Sequence, residues 1–174
     1  FTRHVELKRF ELLTDDFLAG MKLVISIAVP ASVGLILVAR PLAETLFQRG
    51  QFDAEDSRQT AAMIRAYGAG VWAFCSLLIV NRVYFALGDR VRPLKIGLAT
   101  MAVNLVLNFT LIWSLRGSGL ALATTCASAF QVLVSCWFLK THLSRLSWQP
   151  LTGVGGKSFV ATAVMSALCL LILQ

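Results

Sequence analysis

Apolar runs of membrane-spanning length alternate with short polar gaps along this chain. A helix that crosses a bilayer needs about 20 mostly apolar residues. Five runs qualify or come near it: residues 17–39, 61–87, 94–113, 117–139 and 158–173. Each is apolar on all sides, so helical periodicity does not separate an inner face from an outer one. Length and flanks define them instead. Pro30 falls within the first run. It predicts a kink rather than a break, because neighbouring helices can satisfy the carbonyl that proline frees.

The gaps carry their own signals. In "LFQRGQFDAEDS", residues 46–57, Gly50 permits a sharp turn and Asp53 suits the cap of the next helix. Glu55 and Asp56 then lie in its first turn, where the helix dipole favours anions. Phe47 and Phe52 can dip into the headgroup boundary. In "FALGDRVRPLKIG", Gly88-Asp89 signals a turn and Pro93 opens the following helix.

Composition agrees with a membrane origin. Of 174 residues, 57% are hydrophobic and 14% charged, with a mean hydropathy of +0.73. Soluble domains run at about 45–50% apolar and about 25% charged. The net charge of +7 is scattered through the gaps rather than gathered on one face, which argues against a nucleic-acid partner. Cys75, Cys126, Cys136 and Cys169 sit apart in apolar runs, without the spacing of a zinc site. His4 and His142 stand alone, and no phosphate-binding loop or catalytic triad can be assembled, so no enzyme is expected. The chain begins Phe1-Thr2-Arg3 and ends within an apolar run, as expected of a piece of a longer protein.

Lys and Arg set the orientation. With the N-terminus inside, the inner gaps hold Arg3, Lys8, Arg9, Arg90, Arg92, Lys95, Lys140, Arg145 and Lys157, and the outer gaps hold Arg40, Arg49, Arg58 and Arg116. That asymmetry follows the positive-inside rule. Trp113 then marks an outer end, and Trp137 and Trp148 inner ends. Trp72 falls too deep for an interfacial belt.

Four blocks carry a family resemblance. "LILVARPLAETLFQRGQFDAEDSRQTAAMIRAYGAG", "NRVYFALGDRVRPLKI", "NLVLNFTLI" and "GLALATTCASA" resemble, in order and spacing, the second-lobe signature of the MviN/MurJ family of lipid II flippases. The resemblance spans roughly residues 20–140. It implies an all-α, polytopic transmembrane bundle that is part of a fourteen-helix, two-lobe transporter in the bacterial cytoplasmic (inner) membrane. This chain would supply about the ninth to thirteenth helices. Residues 1–16 and 142–157 would be cytoplasmic connections, 17–141 four spans that form part of the second lobe, and 158–174 the start of a C-terminal helix pair. The first lobe, whose arginines line the family's cavity, would be the partner this chain lacks.

Within the third run, Thr100, Asn104 and Asn108 repeat every four residues and form one stripe. In the fourth, Thr124 and Ser128 form another, beside the small residues Gly119, Ala123 and Ala127. A short outer turn near Arg116 would let the stripes meet. Two readings stand. One is interhelical hydrogen bonding, at about 0.6 kcal/mol per bond. The other is a cation site of amide and hydroxyl oxygens with a carbonyl near Leu120. Some members of the resembled family hold sodium at the corresponding place, which makes a sodium ion the one cofactor to consider. They have a carboxylate where this chain has Asn108, and draw a further acidic ligand from a helix outside this chain. Lys22, near an inner end, is expected to snorkel. Arg82 either snorkels or serves a substrate pyrophosphate in the cavity.

The resemblance implies flipping of lipid II, an undecaprenyl-linked substrate, by alternating access among membrane lipids. An exporter of polysaccharide intermediates or drugs from the same superfamily, or a membrane scaffold that transports nothing, are the competing expectations. The charge count makes a direct prediction about topology. With native cysteines removed, Gly50→Cys is labelled by an impermeant thiol reagent from outside and Val91→Cys is not. The opposite labelling pattern would invert the orientation.

Overall fold

The structure is a computed structural model. It describes the backbone of residues 2–47 and 53–142, the side chains of residues 12–47 and 53–141, and six helical residues between 162 and 171. All the regular structure described is helical: α1 (Thr2–Leu23), a π turn (Val24–Ala28), α2 (Val29–Phe47), α3 (Ala54–Gly68), α4 (Val71–Ala86) and α5 (Val91–His142). Three helical stretches are long and apolar enough to cross a membrane: Leu12–Phe47, Ala54–Ala86 and Val91–Thr141. Most of the fifth expected span, Gly50 and Phe52 of the first gap, and the connection at 143–157 lie outside the described residues.

The first stretch passes Pro30 without breaking. The π turn ends at Ala28, two residues before the proline, within Leu12–Phe47. A ring at position 30 removes one amide donor and crowds the carbonyl four residues back. A π turn widens the helix at that place, which is how membrane helices commonly absorb a proline.

The second stretch corrects an expectation. Residues 61–87 do not form one helix; α3 ends at Gly68 and α4 begins at Val71. The Gly70 amide donates to Tyr67 O at 2.9 Å, three residues back, rather than to Ala66 O. That leaves the Ala66 carbonyl without its helical partner inside the bundle. The Thr125 hydroxyl of α5 fills the vacancy, donating to Ala66 O at 2.8 Å. Gly70 makes room for it: a Cβ there would sit 2.8 Å from Thr125 Oγ1.

α5 is 52 residues long, with non-helical angles at Arg116 (φ 51°, ψ −132°). As a straight rod it would run about 78 Å, against a hydrocarbon core of about 30 Å. It folds back instead. A Cβ on Gly119 would meet Leu111 O at 2.5 Å, and one on Gly97 would lie 3.9 Å from Gln131 Nε2. Residues eight and more apart in one helix cannot approach so closely, so the outgoing arm (91–115) and the returning arm (117–142) pack antiparallel. The backbone angles of Arg116 match the first central position of a type II′ turn, where glycine is the usual occupant.

The remaining contacts set the order of the bundle. A Cβ on Gly20 would lie 3.0 Å from Ile79, and one on Gly68 would lie 3.4 Å from Leu35 and Ile36. The first stretch therefore runs antiparallel to α3 and α4. The returning arm packs on the other flank of α3 and α4, where Tyr84 Oη donates to Ser135 O at 2.8 Å in a buried bond. The core lies at the end that basic residues assign to the cytoplasm, formed by Phe17, Leu18, Met21, Val80, Val83, Tyr84 and Leu139.

Aspartates cap the starts of α3 and α5. Asp53 Oδ1 accepts from the amides of Glu55 and Asp56, each at 2.9 Å, and Asp56 Oδ2 returns the favour to Asp53 N at 3.3 Å. This is a capping box with a carboxylate at its third position. At the inner turn, Gly88 takes φ +75° and Asp89 Oδ1 accepts from Val91 N and Arg92 N.

Two substitutions test the packing. Gly119→Val drives a side chain into the Leu111 carbonyl and is expected to cost about 1–3 kcal/mol. Thr125→Val strips the partner from Ala66 O and is expected to cost about 1 kcal/mol. Both should lower the thermal unfolding midpoint of the full-length protein in detergent, Gly119→Val by more. Unchanged midpoints would refute the turn and the clamp.

Candidate functional site, a neutral polar cleft in the α5 hairpin

The stripe Thr100, Asn104, Asn108 lies on the outgoing arm's side of a cavity of about 480 Å³. Ser128 and Gln131 of the returning arm line the other side, with Gly97 at one end. Four-residue spacing puts the first three on one helical face, and the antiparallel register brings Ser128 and Gln131 opposite. Thr100 and Ser128 are buried, each 8% exposed. Among the described residues, the polar groups of the lining are amides and hydroxyls, with no charged side chain.

The hydrogen bonds within the cleft run along each arm rather than across it. Thr100 Oγ1 donates to Ile96 O at 2.9 Å, and Ser128 Oγ donates to Thr124 O at 2.8 Å. Asn108 Nδ2 donates to Asn104 Oδ1 at 2.6 Å, joining two turns of the outgoing arm. Asn108 Oδ1 is buried and has no partner among the described residues. An acceptor in that state costs free energy unless something outside these residues donates to it or coordinates it.

Three candidate residues fall elsewhere. Thr124 and Leu120 do not line the cleft. The Thr124 hydroxyl donates to Leu120 O at 3.0 Å, so that carbonyl already has a partner on its own helix. Serine and threonine in helices commonly bond back in this way. Arg82 is exposed near the C-terminal end of α4 and does not line this cleft. Gln131 is the residue sequence reasoning missed. Its spacing of three from Ser128 was the available signal, since i and i+3 share a helix face. Gly119, Ala123 and Ala127 are buried, as a small-residue stripe between close helices should be.

Beside the polar stripe the outgoing arm carries large apolar groups: Leu94, Leu98, Met101, Leu105, Phe109 and Ile112 are exposed in a helical stripe, and Met101 and Leu105 also line the edge of the cleft. Such a surface suits acyl chains.

Membrane-length helices, a helix break capped from a neighbouring helix and an uncharged polar cleft define a polytopic α-helical membrane protein. Comparison with known proteins narrows this to a family. The family model described as "Lipid II flippase MurJ" matches residues 1–174, and the chain belongs to that family. A probable lipid II flippase MurJ of Rickettsia prowazekii is 32% identical over 117 residues, which are 67% of this chain and 23% of that protein. The corresponding protein of Vibrio cholerae serotype O1 is 33% identical over 111 residues, covering 64% of this chain and 21% of its own length. That of Synechocystis is 29% identical over 137 residues, covering 79% and 26%. The chain therefore spans about a quarter of the length of these relatives. A solved structure, lipid II flippase MurJ in an inward closed conformation, superposes with a TM-score of 0.74 at 19% identity. It covers 95% of this chain and 41% of the solved one, and establishes the shared fold.

Proposed function

We propose that this chain forms most of the second lobe of a transporter that flips lipid II across the bacterial cytoplasmic membrane. The observation that carries the reading is the family match along all 174 residues. The protein moves its substrate and makes no bond in it. The first lobe, outside this chain, supplies the other wall of the central cavity. The two lobes rock about that cavity, opening inward to take an undecaprenyl-linked substrate and outward to release it. Arg82, exposed at the inner end of α4, is suited to meet a pyrophosphate on entry. A lobe alone offers one wall of such a path, so this chain by itself inserts into liposomes and flips no lipid II. Flipping by the isolated chain would overturn the two-lobe mechanism.

The cleft is read as the lobe's coupling site. The bare Asn108 Oδ1, the Asn104 amide, and the Thr100 and Ser128 hydroxyls are hard oxygen donors of the kind a sodium ion prefers. With no carboxylate in the lining, the charge must come from elsewhere in the full-length protein. Asn108→Leu removes one oxygen and is expected to weaken sodium stimulation of lipid II flipping by about 10- to 100-fold in sodium concentration, from about 1.5–3 kcal/mol for a bond to a charged group. Asn108→Asp adds charge and keeps or strengthens it. The assay is flipping by full-length variants with and without sodium, normalised to inserted protein. The same sodium response in wild type, Leu and Asp variants would leave the cleft a packing feature.

A further inference from the structure

The outer end of the bundle has a second cavity, of about 390 Å³, between the start of α3 and the turn of the α5 hairpin. Glu55, Arg58 and Gln59 line it from α3; Arg116, Gly117 and Ser118 line it from the turn. Arginine on the outer side runs against the charge asymmetry that orients the chain. Elsewhere outside, Arg40 is held by Glu44 at 2.8 Å. Arg58 is only loosely held, 3.5 Å from Glu55 with both side chains mostly exposed. Arg116 has no ion pair among the described residues.

Arg116 is also the wrong residue for its backbone. It is the one non-glycine residue with positive φ among those described, at a turn position where glycine would be unstrained. The side chain therefore sits there at a conformational cost. Of the nearby acids, Asp53 and Asp56 are turned to the α3 cap, leaving two guanidiniums against the single carboxylate of Glu55. Guanidiniums are suited to phosphate oxygens, which they bind with paired donors. Close by in sequence, Trp113 is 87% exposed and Leu115 is exposed, an apolar rim at the level where tryptophan marks the headgroup boundary.

We infer that the cavity between Arg58 and Arg116 binds the phosphate of a lipid headgroup in the outer leaflet. Two lipids present that phosphate with net negative charge, unlike zwitterionic phosphatidylcholine: an anionic phospholipid, and a polyprenyl pyrophosphate lipid delivered from the other leaflet. The site does not depend on the flipping reading, because resident phospholipid alone would fill it.

The test uses the full-length protein in phosphatidylcholine nanodiscs. These are doped with either phosphatidylglycerol or a polyprenyl pyrophosphate, and retained lipid is counted by native mass spectrometry. Arg58→Gln and Arg116→Gln each reduce retention about fivefold, the worth of one basic residue near an anionic surface. Arg116→Gly does the same while relieving the turn, so its loss of lipid is not a loss of fold. Glu55→Gln raises retention, and Arg40→Gln leaves it unchanged. Loss of both lipids, or of phosphatidylglycerol alone, assigns the site to resident phospholipid. Loss of the pyrophosphate lipid alone keeps the site and makes its occupant the delivered lipid. Unchanged retention of both in the Arg58→Gln and Arg116→Gly proteins overturns the proposal.

Discussion

Inside a bilayer a backbone amide or carbonyl has no water to turn to, and each unsatisfied group costs several kcal/mol. That constraint explains where this chain departs from ideal helix. At Pro30 the departure is a π turn, which changes the bonding pattern without ending the helix. Between α3 and α4 the Ala66 carbonyl is released and immediately taken by Thr125. At Arg116, where the chain reverses, the break sits at the outer end and faces a cavity rather than acyl chains. The irregular segments occur where a neighbouring arm, a widened turn or an open boundary can satisfy them.

Thr125 ties this backbone economy to tertiary structure. Its bond crosses from the returning arm of α5 to α3, and the buried Tyr84–Ser135 bond crosses from the same arm to α4. Together they hold the returning arm against both halves of the broken helix. The outgoing arm is joined at the inner turn, where Asp89 accepts from Val91 N and Arg92 N, and at the hairpin turn, and it packs along the cleft. It carries a polar stripe and, beside it, a stripe of large apolar groups that shares the rim of the cleft through Met101 and Leu105. On a single helix an uncharged polar cleft thus borders directly on a surface suited to lipid.

Much of this was legible in the sequence, for identifiable reasons. The first span and the two arms of α5 could be located because hydrophobic length and charged flanks are strong signals in lipid. The Asp53 cap was legible because capping is local, decided by residues within one turn. The break at Gly68–Gly70 was not. In a run that is apolar on every side, two glycines do not announce an interruption, and the hydroxyl that makes it affordable lies 59 residues away. The cleft was half legible. The spacing of Thr100, Asn104 and Asn108 gave one wall. The other wall depended on the register of the hairpin, which admitted Gln131 and left Thr124 bonded to its own helix.

The tightness of that hairpin has a mechanical consequence. With Gly119 against the Leu111 carbonyl, the two arms have no slack at their joined end. Sliding one past the other by a helical turn, about 5.4 Å, would tear the turn apart. The pair therefore behaves as one stiff lever whose inner ends can splay or tilt while its tip stays fixed. The departures from ideal helix outside that pair are the π turn of the first stretch and the two-residue gap between α3 and α4. In the two-lobe transporter proposed above, bending falls at those places, and the polar cleft rides on the stiff pair with its walls in register.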